Sequence, residues 1–216
     1  AWQEPERPEC TSWIVMPELT KSKRLLIHKN RDSSEKEHAP VFRRAPGKIG
    51  WIGSCARASA FPAMGVNEKG LVVIMNNADP CDQWNTSGLS TPMIARILLE
   101  NCSTPDEAAA LLEKIGKAGA YSHGKTGSIF FFADAKKAGI VELAAARSIY
   151  VPFEFGYLIR ANSWRLPGIT ALSKKTSKQL EGDAFREYLV RDGILEAIRK
   201  GGCEAEDFFS ISRTRG

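Results

Sequence analysis

Between residues 128 and 161, four strand-length segments (128–134, 139–144, 148–153 and 157–161) follow one another with only turn residues such as Asp134-Ala135-Lys136-Lys137 between them. A chain carrying this run must build a sheet, and the remainder has to fold around it. Upstream, residues 11–16 and 24–30 predict a β-hairpin across the polar stretch 17–23. Residues 58–64 and 71–75 predict a second hairpin around Gly65-Val66-Asn67-Glu68-Lys69-Gly70, where Asn and Gly supply the turn. The segment 31–50 between them is polar and charged and reads as a loop. The period then changes, with Met93, Ile94, Ile97 and Leu98 at helical spacing. Thr104-Pro105-Asp106-Glu107 opens a further helix, with Thr104 as N-cap, Pro105 at the first position and Glu107 placed to close a capping box. A last helix is predicted over Ser177–Arg199. Strands, two helices, strands and a final helix make an α+β layered domain, and no internal repeat or low-complexity linker divides it.

Composition narrows the function classes. A chain of 216 residues, 43% hydrophobic and 25% charged, can bury one sizeable core. Its greasiest run, Ile129-Phe130-Phe131-Phe132-Ala133, stops at Asp134, far short of the roughly 18 apolar residues of a membrane span. The net charge of +5 is dispersed in pairs such as Arg43-Arg44, Lys136-Lys137 and Lys174-Lys175. No basic stripe is interleaved with aromatics, which argues against nucleic acid. Cys10, Cys55, Cys81, Cys102 and Cys203 form no C-x-x-C pair and have no His at ligand spacing, so no zinc site is expected. The chain opens at Ala1 with a short polar leader, residues 1–9. With the cysteine count, which allows two disulfides and one reactive thiol, this points to a secreted or periplasmic protein; in the cytoplasm the same cysteines would be small buried residues.

Cys10-Thr11 stands at the start of the first strand, directly after the leader. A thiol needs a base to act as a nucleophile near neutral pH, and the free α-amine of the same residue, with a pKa of about 7.7 to 8.0, is one solution. That solution requires cleavage between Glu9 and Cys10. Asn30-Arg31-Asp32 ends the next strand, roughly level with Cys10 in the hairpin. An Arg beside a thiol lowers its pKa, and a carboxylate holds an ammonium in place. Read without that chemistry, Cys10 is a buried structural residue and Arg31 and Asp32 are a solvated turn pair. A papain-type mechanism would instead need His28, His38 or His123 as base, and none carries a nucleophile signature nearby.

The Cys10-Thr11 start, the Asn30-Arg31-Asp32 strand end, the Gly65–Leu71 turn and the following Asn76-Asn77 together resemble the N-terminal nucleophile amidohydrolases. Within them the pattern is similar to the group containing penicillin V acylase, choloylglycine hydrolase and the acyl-coenzyme A:6-aminopenicillanate acyltransferases. Phe132-Ala133-Asp134, Val141-Glu142, Arg160-Ala161-Asn162-Ser163 and Ser210-Ile211-Ser212-Arg213 continue the resemblance in order, from Cys10 to Arg213.

The resemblance implies a four-layer αββα sandwich with mainly antiparallel sheets, formed by a single domain over residues 10–216 once residues 1–9 are cut away. It implies that Cys10 is nucleophile and, through its amine, general base, that Asp32 orients the amine, and that Arg31 positions the thiol or the substrate. Asn76 or Asn77 supplies the oxyanion-hole amide, with Asn77 preferred and Asn76 left to the substrate. Asn162 assists the same centre and Arg213 closes it electrostatically. Trp13, Phe61 and Trp164, with Trp84, are the candidates for an acyl pocket. The implied reaction is hydrolysis of a linear amide in a small-molecule acyl-amide substrate, with acyl transfer to an amine as the alternative. From another class, the alternative is an unprocessed, non-enzymatic relative. Neither cofactor nor metal is implied. The family continues beyond its late Ser-x-Ser-Arg, whereas this sequence stops at Gly216. One sheet is then expected to be short of a strand, leaving an edge that invites a second copy or a missing segment.

Overall fold

The computed structural model describes residues 9–32, 38–57, 59–82, 87–122, 126–144 and 147–213. Trp84 and His123 lie outside them.

Among the described residues, ten strands form two antiparallel sheets. The first hairpin is β1 (Glu9–Val15) with β2 (Leu26–Asp32), and β10 (Tyr157–Arg160) adds to the other edge of β1, giving a sheet ordered β10-β1-β2. The larger sheet is a sequential meander of seven strands: β3 (His38–Arg43), β4 (Trp51–Ala56), β5 (Pro62–Asn67), β6 (Val72–Pro80), β7 (Thr126–Ala133), β8 (Ala138–Ala144) and β9 (Arg147–Phe153). Helices α1 (Thr91–Asn101) and α2 (Pro105–Lys117) cover its outer face; α3 (Ser177–Arg199) and α4 (Ala205–Arg213) cover the small sheet. The result is four layers: helices, large sheet, small sheet, helices.

Three apolar clusters correspond to the three seams between these layers. Along β7, Phe130 and Phe132 pack under α1 and α2, while Ile129, Phe131 and Ala133 pack between the sheets. This alternation of two buried faces explains why the strand reads as an unbroken apolar run. Along β1, Ile14 faces the other sheet, whereas Trp13 and Val15 meet Val190, Ile194 and Phe208 of the helical layer.

The segment 31–50 is not a loop throughout, because β3 occupies its middle. Its outward residues are exposed and Pro40 interrupts the apolar pattern, as suits an edge strand. Strand β4 and helix α4 are likewise additions to the sequence reading. The cap of α2 forms on one side only. Thr104 Oγ1 accepts the Glu107 N–H at 3.2 Å, but the Glu107 carboxylate accepts from the Ser103 N–H at 2.6 Å rather than from Thr104. The complete capping box belongs to α3, where Thr176 and Gln179 satisfy each other's backbone N–H.

Candidate active site

Cys10 is the second residue of the central strand of the small sheet and is buried. On the β2 side the ladder pairs it with Arg31, and Glu9 with Asp32. On the β10 side the ladder begins only at Ser12, opposite Arg160, because β10 ends there. The Cys10 N–H therefore has no strand partner on that side and donates instead to Asn162 Oδ1, 2.8 Å away, in the turn that follows β10. Asn162 is held in turn: its Nδ2 donates to the Asn77 carbonyl at 2.7 Å.

A cation missed by the sequence reading completes this arrangement. Arg186 Nη1, from the buried face of α3, donates to the Cys10 carbonyl at 2.9 Å and to Asn162 Oδ1 at 3.0 Å. Its Nη2 bonds to Asp183 one turn earlier, and its Nε lies 3.4 Å from the Glu9 carboxylate. Val190, Ile194 and Ala197 form the buried stripe of α3, and continuing their spacing backwards reaches Arg186 and Asp183. That extrapolation is the signal that would have found them. Arg213, by contrast, sits exposed in the last turn of α4, and among the described residues no hydrogen bond or ion pair joins it to Cys10 or Asn162.

The two adjacent asparagines have different surroundings. Asn76 is fully buried between the sheets, where its Oδ1 accepts from Ser12 Oγ at 2.8 Å and Lys29 Nζ at 2.7 Å, and its Nδ2 donates to the carbonyls of Arg160 and Ala161. With every polar valence used, it ties β6 to all three strands of the small sheet. Asn77 is half-buried and touches the site through its carbonyl.

The loop bearing Asn162 is anchored from β8. The wholly buried Glu142 carboxylate accepts from the Arg165 N–H at 2.9 Å, from the Leu166 N–H at 2.9 Å and from Arg160 Nε at 3.1 Å.

Of the aromatic pocket candidates, Trp13 and Trp164 are core residues, 0% and 2% exposed, in the helix-covered and inter-sheet clusters respectively. Phe61 lies in the turn before β5, under the Arg96 guanidinium at 5.8 Å. The cleft that the fold does provide, about 580 Å³, opens between β2 and the strands β3 to β6, with Ile27, Lys29, His38, Ile52, Met64 and Ile74 among its walls. Lys29 and Arg31 stand opposite Ser12 and Cys10 in the ladder and so share their face of the sheet. Arg31 also reaches the cleft wall, its Nη1 lying 3.2 Å from His38 Nδ1.

The other ionisable candidates have structural surroundings. His28 stacks on Trp13 at 4.3 Å and contacts Ser212 Oγ at 2.8 Å, and burial lowers its pKa to about 4. All five cysteines are free; burial pushes the Cys102 thiol up to about 11 and raises those of Cys55 and Cys203. Among the described residues no group of three or more His, Cys, Asp or Glu could hold a metal, and no helix is long and apolar enough to cross a membrane.

Two antiparallel sheets packed face to face between helical layers, with a cysteine second in the central strand of one of them, make the N-terminal nucleophile hydrolase fold. The chain belongs to the acyl-coenzyme A:6-aminopenicillanic acid acyl-transferase family, whose model matches residues 20–189. Similar solved structures include a Caenorhabditis elegans N-acylethanolamine-hydrolyzing acid amidase ortholog, at 15% identity and a TM-score of 0.65 over 95% of this chain and 86% of that one. A mutant of the conjugated bile acid hydrolase from Clostridium perfringens gives 16% identity and a TM-score of 0.62 over 94% and 77%. Penicillin V acylase from Agrobacterium tumefaciens gives 17% and 0.55 over 94% and 71%. Among curated proteins no match is found.

Proposed function

We propose that the protein is a self-processing cysteine amidohydrolase acting on a linear acyl amide. The observation that carries this reading is the bond from the Cys10 main-chain nitrogen to Asn162 Oδ1, since that nitrogen is the atom that becomes the amine base. In the uncleaved chain, Cys10 Sγ attacks the Glu9 carbonyl carbon. The Cys10 nitrogen leaves with the thiol proton, and water hydrolyses the resulting thioester. Residues 1–9 depart with the Glu9 carboxylate, and Arg186 loses its Glu9 contact. Asn162 Oδ1 then accepts one amine hydrogen and leaves the lone pair for the thiol proton; Asp32, whose main chain pairs with Glu9 in the ladder, keeps the role of orienting the amine that the family resemblance gives it.

In turnover the thiol attacks the substrate carbonyl, the amine passes the proton to the leaving nitrogen, and water releases the acyl group. Asn77 is the oxyanion donor in this scheme, a role worth about 2.7 to 4 kcal/mol in other enzymes. Asn162 Nδ2 is already committed to the Asn77 carbonyl, so Asn162 serves the amine rather than the oxyanion. The family match favours a second reading, in which an amine replaces water as acyl acceptor.

Intact mass of the purified chain beside Cys10→Ala tests the proposal. Loss of residues 1–9 from the wild type alone is the expected result, and retention in both refutes the mechanism. Supplying an amine acceptor to the processed enzyme with an acyl amide, and weighing the products, separates hydrolysis from transfer.

A further inference from the structure

Behind Asn162, on the side away from Cys10, lies a cluster of buried charges that the mechanism above leaves unused. Lys175, in the segment leading into α3, has only 8% of its side chain exposed. Its ammonium donates to the Asn162 carbonyl at 2.6 Å and to Ser163 Oγ at 3.0 Å, lies 3.1 Å from Asp79 Oδ1, and bonds to Asp183. Each partner belongs to a different piece of the site. Asp79 is the penultimate residue of β6, two after Asn77; Asn162 and Ser163 form the turn after β10; Asp183 holds Arg186, which bonds to Cys10 and Asn162. Asp79 also receives the Trp164 N–H at 3.3 Å.

We propose that Lys175 is a positioning residue for the Cys10 centre, acting through Asn162 directly and through Asp183 on Arg186, without touching the substrate. The inference rests on the proposed self-processing mechanism. Two buried cations face two buried carboxylates here, so the set is neutral, and a neutral set tied by this many hydrogen bonds and ion pairs is rigid. Asn162 is gripped at both ends: its side chain by Cys10, Asn77 and Arg186, its carbonyl by Lys175. Removing Lys175 frees the carbonyl and leaves Asp79 and Asp183 facing one another without their common cation. The turn that aims Oδ1 at the Cys10 nitrogen then shifts. Displacements of about 1 Å at a reacting centre reduce rates by about a hundredfold.

Because Lys175→Met also leaves the buried Asp79 carboxylate without its cation, while Asp183 keeps Arg186, it is compared with Lys175→Arg and with the double variant Lys175→Met/Asp79→Asn, all in the full chain. The double variant removes one charge of each sign while keeping an oxygen for the Trp164 N–H. Two quantities are read: the rate of loss of residues 1–9 by intact mass, and the thermal unfolding midpoint. Lys175→Met is expected to lower both, the rate about tenfold or more. The double variant recovers most of the midpoint and little of the rate, and Lys175→Arg recovers part of the rate. A double variant that is stable and processes within twofold of wild type overturns the positioning role and leaves the function standing. A wild type that never loses residues 1–9 overturns the function and this inference with it.

Discussion

Replacing Glu142 with Ala tests whether the turn carrying Asn162 is held from the neighbouring sheet. Glu142 is wholly buried and accepts from Arg160 and from two main-chain N–H groups, those of Arg165 and Leu166. Breaking a buried charge pair from one side costs about 3–5 kcal/mol, and each stranded N–H adds about 1–3 kcal/mol unless water reaches it. Arg160 is 16% exposed and bonds also to the Ile159 carbonyl, so part of its charge finds relief, and the turn can open towards solvent. We therefore expect a loss of about 4 kcal/mol for Glu142→Ala at the overlap of these ranges. At about 2–4 °C per kcal/mol for a domain of this size, the midpoint falls by about 8–16 °C. Glu142→Gln keeps one acceptor oxygen and should lose about half as much. Urea unfolding of the three proteins measures the difference. A loss below about 1.5 kcal/mol for Glu142→Ala, well under the pair-breaking range, would refute the anchoring argument.

Three further outcomes are expected. Asn76→Ala takes one acceptor from the buried Lys29 ammonium, which keeps the Met75 carbonyl at 2.7 Å, and leaves the Arg160 and Ala161 carbonyls without this donor, so unfolding should show a loss of about 1–3 kcal/mol, and a neutral result would remove Asn76 as the inter-sheet tie. Gly127→Ala would place a methyl 1.9 Å from the Trp164 ring and 2.5 Å from the Leu143 carbonyl oxygen, so a midpoint drop equivalent to about 1–3 kcal/mol is expected; an unchanged midpoint would mean that the indole can move aside. His28 has its pKa lowered to about 4 by burial. The unfolded chain therefore binds a proton more readily than the fold does, and the stability His28 contributes is complete above about pH 6.5 and falls as the pH drops towards 4. With its partial exposure discounted, that amounts to about 1–2 kcal/mol, and His28→Gln should flatten this part of a stability–pH curve.

The sequence was legible where local signals and burial agreed. Helix α3 begins and ends where its pattern predicted because Thr176 and Gln179 form a complete capping box and the apolar stripe persists to Ala197. Both early hairpins form, although in the second β5 runs through Gly65-Val66-Asn67, which read as turn, and β6 runs on to Pro80 beyond the predicted end. Strand β4 was missed because its inward positions are Trp51, Gly53 and Cys55, so the alternation of burial is not an alternation of recognisably apolar side chains. Strand β3 is an exposed edge with almost no burial to leave a mark on its composition. At the site, Cys10 stands near a strand start and Asn162 in a turn, where a polar residue is conspicuous, and hydrogen bonds through Asn162 join them to Asn77 within β6. Arg186 was invisible because one arginine among several in a long helix reveals itself only through the face it shares with Val190 and Ile194. The late Ser-x-Ser-Arg drew attention to Arg213 through local likeness, although α4 ends away from the Cys10–Asn162 bond. Trp13 and Trp164 are buried for a related reason, since a tryptophan near a reactive residue in sequence is still most economically placed in a core.

The bonds that converge on Cys10 reach across most of the chain, 152 residues to Asn162 and 176 to Arg186. During synthesis Cys10 leaves the ribosome well before its partners, which come from the turn after β10 and from helix α3. No local folding of the first hairpin can assemble the centre, because two of its contacts do not yet exist. The chemistry proposed for Cys10 would thereby wait until α3 has emerged and docked, so that the order of synthesis acts as a timer against premature reaction.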